Sequence, residues 1–171
     1  VSYIKILINS ILLIFLVFTL FSGCVDDADN NIEWGNAPDF TLTTINDEEI
    51  TLSDLLGKVV VIDLMATWCP PCVQQMSQLE SVVDEFNDQV VVLSIDVDTS
   101  ETKTLIINKF GEYTDKWTFM LDNYNENVAD KYQVEAIPKI VVISQNGNIY
   151  YSHVGYTDYS TISGKIKELL E

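Results

Sequence analysis

Two runs of branched apolar residues do most to restrict the folds open to this chain: Val59-Val60-Val61-Ile62-Asp63-Leu64-Met65 and Val90-Val91-Val92-Leu93-Ser94-Ile95. Apolar runs of this length, rich in β-branched residues, are strands covered on both faces, which requires other layers above and below a sheet. Between them Val73, Met76, Leu79, Val82, Val83 and Phe86 recur at helical spacing, and that helix is expected to end near Asn87. Beyond the second run, Asp98 with Glu101 has the pattern of a capping box, opening a helix that carries Leu105, Ile106 and Phe110 and stops at Gly111. Thr118 to Leu121 is expected as a short strand and Asn125 to Tyr132 as a short helix. Lys139 to Ser144 and Ile149 to Val154 flank Asn146-Gly147, a strong hairpin signal, and Asp158 is placed to cap a last helix holding Ile162, Ile166, Leu169 and Leu170. Ahead of the first run, Thr41 to Ile45 and Glu49 to Thr51 form a short hairpin around Asn46-Asp47. Strands alternating with helices, then a hairpin and a helix, predict an α/β domain: a mixed central sheet flanked by helices, over residues 37–171.

The N-terminal part is of another kind. Lys5 is the only charge in the first 25 residues, and Ile11 to Phe21 is apolar up to Ser22-Gly23-Cys24. A charged start, a short apolar core and small residues form a signal peptide over residues 1–23. Ser22-Gly23-Cys24 resembles the site at which bacterial-type lipoproteins are cleaved and lipidated on the cysteine, with Phe21 where Leu is usual. The alternative is an uncleaved helical anchor from about Ile4 to Ser22. Residues 24–36, with Asp26-Asp27-Ala28-Asp29, read as an acidic tether. Either way the domain is expected outside the cytoplasm, held at the membrane by lipid on Cys24 or by the anchor.

Charge excludes one class of partner. The formal net charge is −17, and all nine basic residues are Lys. No basic patch is available to neutralise phosphates, so nucleic acid is not an expected partner.

The chemistry is concentrated in Ala66-Thr67-Trp68-Cys69-Pro70-Pro71-Cys72, between the first strand and the helix. Two thiols at this spacing close a small disulfide ring. A thiol at a helix start meets the positive end of the helix dipole, which favours the thiolate that attacks other disulfides. Proline suits the first helical positions, but each proline removes an N–H that would have pointed at the Cys69 sulfur. Two prolines, the acidic charge and the lack of a histidine between the cysteines all argue for a weakly stabilised thiolate, and hence for a reductant. A zinc site drawn from Cys24, Cys69, Cys72 and His153 lacks a second clustered ligand pair, so no metal is expected.

With these residues in view, the domain resembles the thioredoxin superfamily, and within it the membrane-tethered TlpA-like and ResA-like thiol–disulfide oxidoreductases. The resemblance rests on Ala37-Pro38-Asp39-Phe40, the Ala66 to Cys72 string, Ala136-Ile137-Pro138, Asn146-Gly147 and Gly155. It implies a thioredoxin-like fold with an N-terminal hairpin and a central insertion over Asp96 to Asn123. It also implies Cys69 as the nucleophile and the more exposed thiol, and Cys72 as the buried resolving thiol. Trp68 is then a docking surface, and a cis bond at Ile137–Pro138 presents the Ile137 backbone to substrate. Asp63 matches a buried acid of the superfamily. A carboxylate inside an apolar strand resists ionising, which suits it to take the Cys72 proton. Gln75 stands where haem-pathway members carry a glutamate.

The function expected is therefore extracytoplasmic reduction of protein disulfides, with no cofactor beyond the dithiol and a thiol-transferring membrane protein as electron donor. One alternative is a peroxidase of the peroxiredoxin type, which shares the fold. It is disfavoured by Ala66, where those proteins have Thr, and by the lack of Arg. The other is a non-catalytic metal or haem carrier; copper-delivery relatives have a longer cysteine spacing and a partnering His.

Overall fold

A computed structural model describes residues 35–171. The expectations for residues 1–23, for Cys24 and for most of the tether lie outside the described residues. Asn36, counted as the end of the tether, already bonds the domain: its N–H donates to Asn148 Oδ1 at 3.1 Å and its Oδ1 accepts from Ile149 N–H at 3.0 Å.

The chain orders its elements as β1 (Thr41–Thr43), β2 (Glu49–Thr51), β3 (Val59–Met65), α1 (Pro70–Phe86), β4 (Val90–Asp96), α2 (Lys103–Phe110), β5 (Thr118–Leu121), α3 (Val128–Lys131), β6 (Lys139–Ile143), β7 (Ile149–Val154) and α4 (Tyr159–Leu170). The main sheet runs β5-β4-β3-β6-β7, and β1 with β2 forms a separate hairpin. β3, β4 and β5 are parallel, while β6 and β7 join antiparallel, so the sheet is mixed. The segment expected as an insertion, Asp96 to Asn123, carries α2 and β5, and β5 extends the main sheet.

Every residue of β3 is buried, as a run that is apolar but for Asp63 requires. Alternate side chains divide between two cores. Val59, Val61 and Met65 pack with Met76, Leu79 and Phe86 of α1 and Ile162 and Ile166 of α4. Val60, Ile62 and Leu64 pack with Phe40, Leu42 and Leu52 of the hairpin layer and Val128 and Tyr132 at α3. Because strand side chains alternate, Asp63 shares the face of Val61 and Met65 and lies on the α1 side.

Two local expectations are corrected. α2 is not capped by Asp98 and Glu101: Thr102 is its N-cap, with Oγ1 accepting from Leu105 N–H at 3.4 Å. The helix expected from Asn125 begins only at Val128. Asn123 Oδ1 holds a turn through the N–H groups of Asn125 and Glu126, and Asn127 is left-handed at φ 47°. Buried Asp122 then caps α3, accepting from Val128 and Ala129 N–H, each at 2.9 Å.

Candidate active site

Cys69 and Cys72 form a disulfide with their Cα atoms 5.2 Å apart. The sequence sets this geometry locally. β3 ends at Met65, the chain turns through Ala66–Trp68, and Cys69 is the N-cap of α1, with prolines in the first two helical positions. The first free N–H of the helix is that of Cys72, and it donates to Cys69 Sγ at 3.3 Å. In the thiolate state the sulfur keeps this single backbone donor, because Pro70 and Pro71 have none.

Across the disulfide lies the turn before β6. The Ile137–Pro138 peptide is cis, as the resemblance implied, and the Ile137 carbonyl oxygen is 3.7 Å from Cys69 Sγ. That cover explains why Cys69 exceeds Cys72 in exposure only marginally, 2% against 0%. Trp68 is 64% exposed, with its indole N–H donating to Asp98 Oδ2 at 2.9 Å. A groove lined by Ala66, Trp68, Val97, Val134 and Ile137 runs beside the cysteines.

Asp63 is wholly buried on the α1 side of the sheet. Burial pushes its carboxyl up to about 7, against the opposing effect of a hydrogen bond from Ser94. That bond belongs to a chain. Trp117 Nε1–H donates to Ser94 Oγ at 3.0 Å, and the Ser94 hydroxyl donates to Asp63 Oδ2 at 3.2 Å. An indole N–H only donates, so Ser94 Oγ accepts from Trp117, and toward an ionised Asp63 the hydroxyl spends its one proton as donor. Asp63 Oδ1 has no partner among the described residues, which also favours the protonated acid.

Gln75 is wholly buried and clasps one residue with both ends of its amide. Its Nε2 donates to the Thr157 carbonyl and its Oε1 accepts from Thr157 N–H, both at 2.8 Å. A glutamate cannot make the first bond while ionised, so the amide serves a structural purpose in tying α1 to the loop before α4.

Reading the sequence missed a further buried acid beside the site. Asp96, the last residue of β4, is fully covered, and burial with the neighbouring Glu101 pushes its carboxyl up to about 8. The signal was present, since Asp96 ends an apolar run just as Asp63 interrupts one. His153, given no role, sits exposed on β7. No cluster of three or more metal-ligating side chains occurs among the described residues.

The likeness to known proteins follows the same lines. A family model described as the AhpC/TSA family matches residues 35–152. The chain belongs to the AhpC/TSA family. This AhpC/TSA protein is similar to the thioredoxin-like protein YneN of Bacillus subtilis (strain 168), at 31% identity over 123 residues, 72% of each chain. The thiol-disulfide oxidoreductase ResA of Bacillus thuringiensis (strain Al Hakam) is 26% identical over 152 residues, 89% of this chain and 87% of ResA. Among solved structures, a putative thiol:disulfide interchange protein DsbE from Chlorobium tepidum superposes with a TM-score of 0.68 at 25% identity, over 81% of this chain and 98% of that one. The fold is thioredoxin-like, and this AhpC/TSA member is a thiol–disulfide oxidoreductase.

Proposed function

We propose that this protein reduces disulfide bonds of other proteins outside the cytoplasm, using the Cys69–Cys72 dithiol. The Cys69 thiolate attacks one sulfur of a substrate disulfide, forming a mixed disulfide and releasing the first substrate thiolate. Cys72 gives its proton to Asp63 and attacks Cys69 Sγ. The second substrate sulfur leaves as a thiolate, and the Cys69–Cys72 disulfide closes. Two electrons have passed to the substrate. Trp68 and the Ile137 backbone border the groove in which the substrate strand lies, and a membrane thiol donor restores the dithiol. Lipid on Cys24, or an uncleaved anchor, holds the domain at the membrane.

The observation that carries the direction of flow is the single N–H, from Cys72, that reaches Cys69 Sγ. Strong oxidants of this chemistry depend on a highly stabilised thiolate. Here Pro70 and Pro71 remove donors, and the chain carries a net charge of −17. A glutathione redox titration tests the reading. It is expected to give a potential nearer that of thioredoxin, about −270 mV, than that of DsbA, about −120 mV. A value at the oxidising end overturns the reductase assignment. Intact-mass analysis of the membrane fraction tests the tether, with lipid on a new N-terminal Cys24 as the expected result and an unmodified full-length chain as the contrary one.

A further inference from the structure

The loop between β4 and α2 turns its acids onto the active site. Glu101, which the sequence pattern assigns to a helix cap, reaches Thr67 instead. Its Oε2 accepts from Thr67 N–H at 2.8 Å and its Oε1 accepts from the Thr67 hydroxyl. Asp98 holds the Trp68 indole. The two residues immediately before Cys69 are thus each gripped by a carboxylate from one loop. Behind Glu101 lies Asp96. Its Oδ1 accepts from Asp98 N–H at 3.0 Å, whereas its Oδ2 is buried without a partner. The Asp96 carboxyl interacts with that of Glu101.

Two ionised carboxylates in this setting would repel strongly, because water is excluded from one of them. The charged groups acting on Asp96 are Glu101 and Asp98, and Asp98 also acts on Glu101; all are carboxylates, so among the described residues no cation relieves the pair. A proton does. Placed on Asp96, it turns the orphan oxygen into a donor toward Glu101 and leaves Glu101 a full negative charge with which to hold both donors of Thr67. We propose that Asp96 and Glu101 share one proton, and that Glu101, so held, is a positioning residue that fixes the Thr67–Cys69 turn against the sheet. The carboxyl of Asp96 is pushed up to about 8, first by burial and then by Glu101. For Glu101, burial acts upward, but the Thr67 donors together with the proton proposed on Asp96 outweigh it and lower the carboxyl. Loss of that proton sets Asp96 and Glu101 in repulsion and loosens the grip on Thr67. The turn carrying the nucleophile is therefore ordered at neutral pH and released in alkali, independently of the redox direction proposed above.

The test is amide hydrogen exchange at Thr67 in the full-length oxidised protein, where neither cysteine titrates. After correction for base catalysis of exchange, protection is expected to fall at least tenfold between pH 7 and pH 9.5. Asp96→Asn keeps a donor toward Glu101 but does not titrate, so its Thr67 protection is expected to stay level over that range. Glu101→Gln is expected to lower Thr67 protection at every pH. An unchanged alkaline loss in Asp96→Asn, or unchanged protection in Glu101→Gln, overturns the proposal. If Asp96→Asn does not fold, carboxyl carbon NMR on the unaltered protein decides. One proton is expected to leave the pair in the acid range and the other near pH 8, and two ordinary titrations near pH 4 overturn the shared proton.

Discussion

Replacing Asp63 with Asn removes one ionisable group from the centre of the sheet, and the cost of that group follows from its surroundings. Its side chain is wholly buried, its carboxyl is pushed from 3.8 to about 7, and Ser94 is its one hydrogen-bond donor among the described residues. The folded protein therefore binds a proton more tightly than the unfolded chain. Between pH 4 and pH 7 the folded state holds more protons, so stability falls as pH rises, and above about 7 the whole penalty is in force. A gap of about three pKa units at 1.36 kcal/mol each amounts to on the order of 4 kcal/mol. Asp63→Asn is thus expected to match the parent in stability near pH 4 and to exceed it by up to about 4 kcal/mol at pH 8. The advantage should grow by about 1.4 kcal/mol per pH unit between those limits. Urea unfolding of both oxidised proteins across this range measures it, and the contribution of Asp96, common to both, cancels in the difference. The gain carries a functional loss: resolution of the mixed disulfide by Cys72 is expected to slow about a hundredfold, with the first attack by Cys69 unchanged. Stopped-flow measurement separates the two steps. A stability difference that does not vary with pH would refute the buried-acid argument, and an unchanged resolution rate would remove Asp63 from the mechanism.

Other substitutions read out the remaining parts of the site. Cys72→Ala is expected to accumulate mixed disulfides with substrate and Cys69→Ala to form none; thiol-trapping mass spectrometry distinguishes them, and the reverse pattern would exchange the roles of the two thiols. Ser94→Ala takes from Asp63 the hydrogen bond that favours its charged form, so the midpoint of the pH dependence of the resolution step should move upward; an unmoved midpoint would show that the hydroxyl does not act on Asp63. Gln75→Ala strands the N–H and carbonyl of Thr157, two buried groups, and is expected to cost about 2–4 kcal/mol in denaturant unfolding. Gln75→Glu should recover part of that stability only below the pH at which the introduced carboxyl ionises.

Much of this architecture is legible in the sequence because it is written in local patterns. The run from Val59 to Met65 has no polar face, so it is a strand between two layers. The spacing of Met76, Leu79, Val82 and Phe86 marks the buried stripe of α1. Asp158 caps α4 through Thr161 N–H at 3.0 Å, as a helix-start rule anticipates. The same kind of rule fails at Asp98 and Glu101. A capping box joins groups three residues apart, but the donors that Glu101 meets belong to Thr67, 34 residues away.

The sequence by itself determined the layered α/β domain and the place of the cysteine pair at a helix start. It also determined the poverty of N–H donors around Cys69, since two prolines lack them in any fold. Only the tertiary structure decided which acids matter and in what state. Pairing β3 with β4 sets Asp63 beside Ser94, so that one carboxyl finds a single hydroxyl, and the fold of the loop after β4 sets Glu101 on Thr67 near Asp96, so that the other finds a second carboxyl. Proton affinity depends on exclusion of water and on the groups that surround a carboxyl; the layers that exclude the water, and the Ser94 hydroxyl beside Asp63, come from segments far apart in the chain.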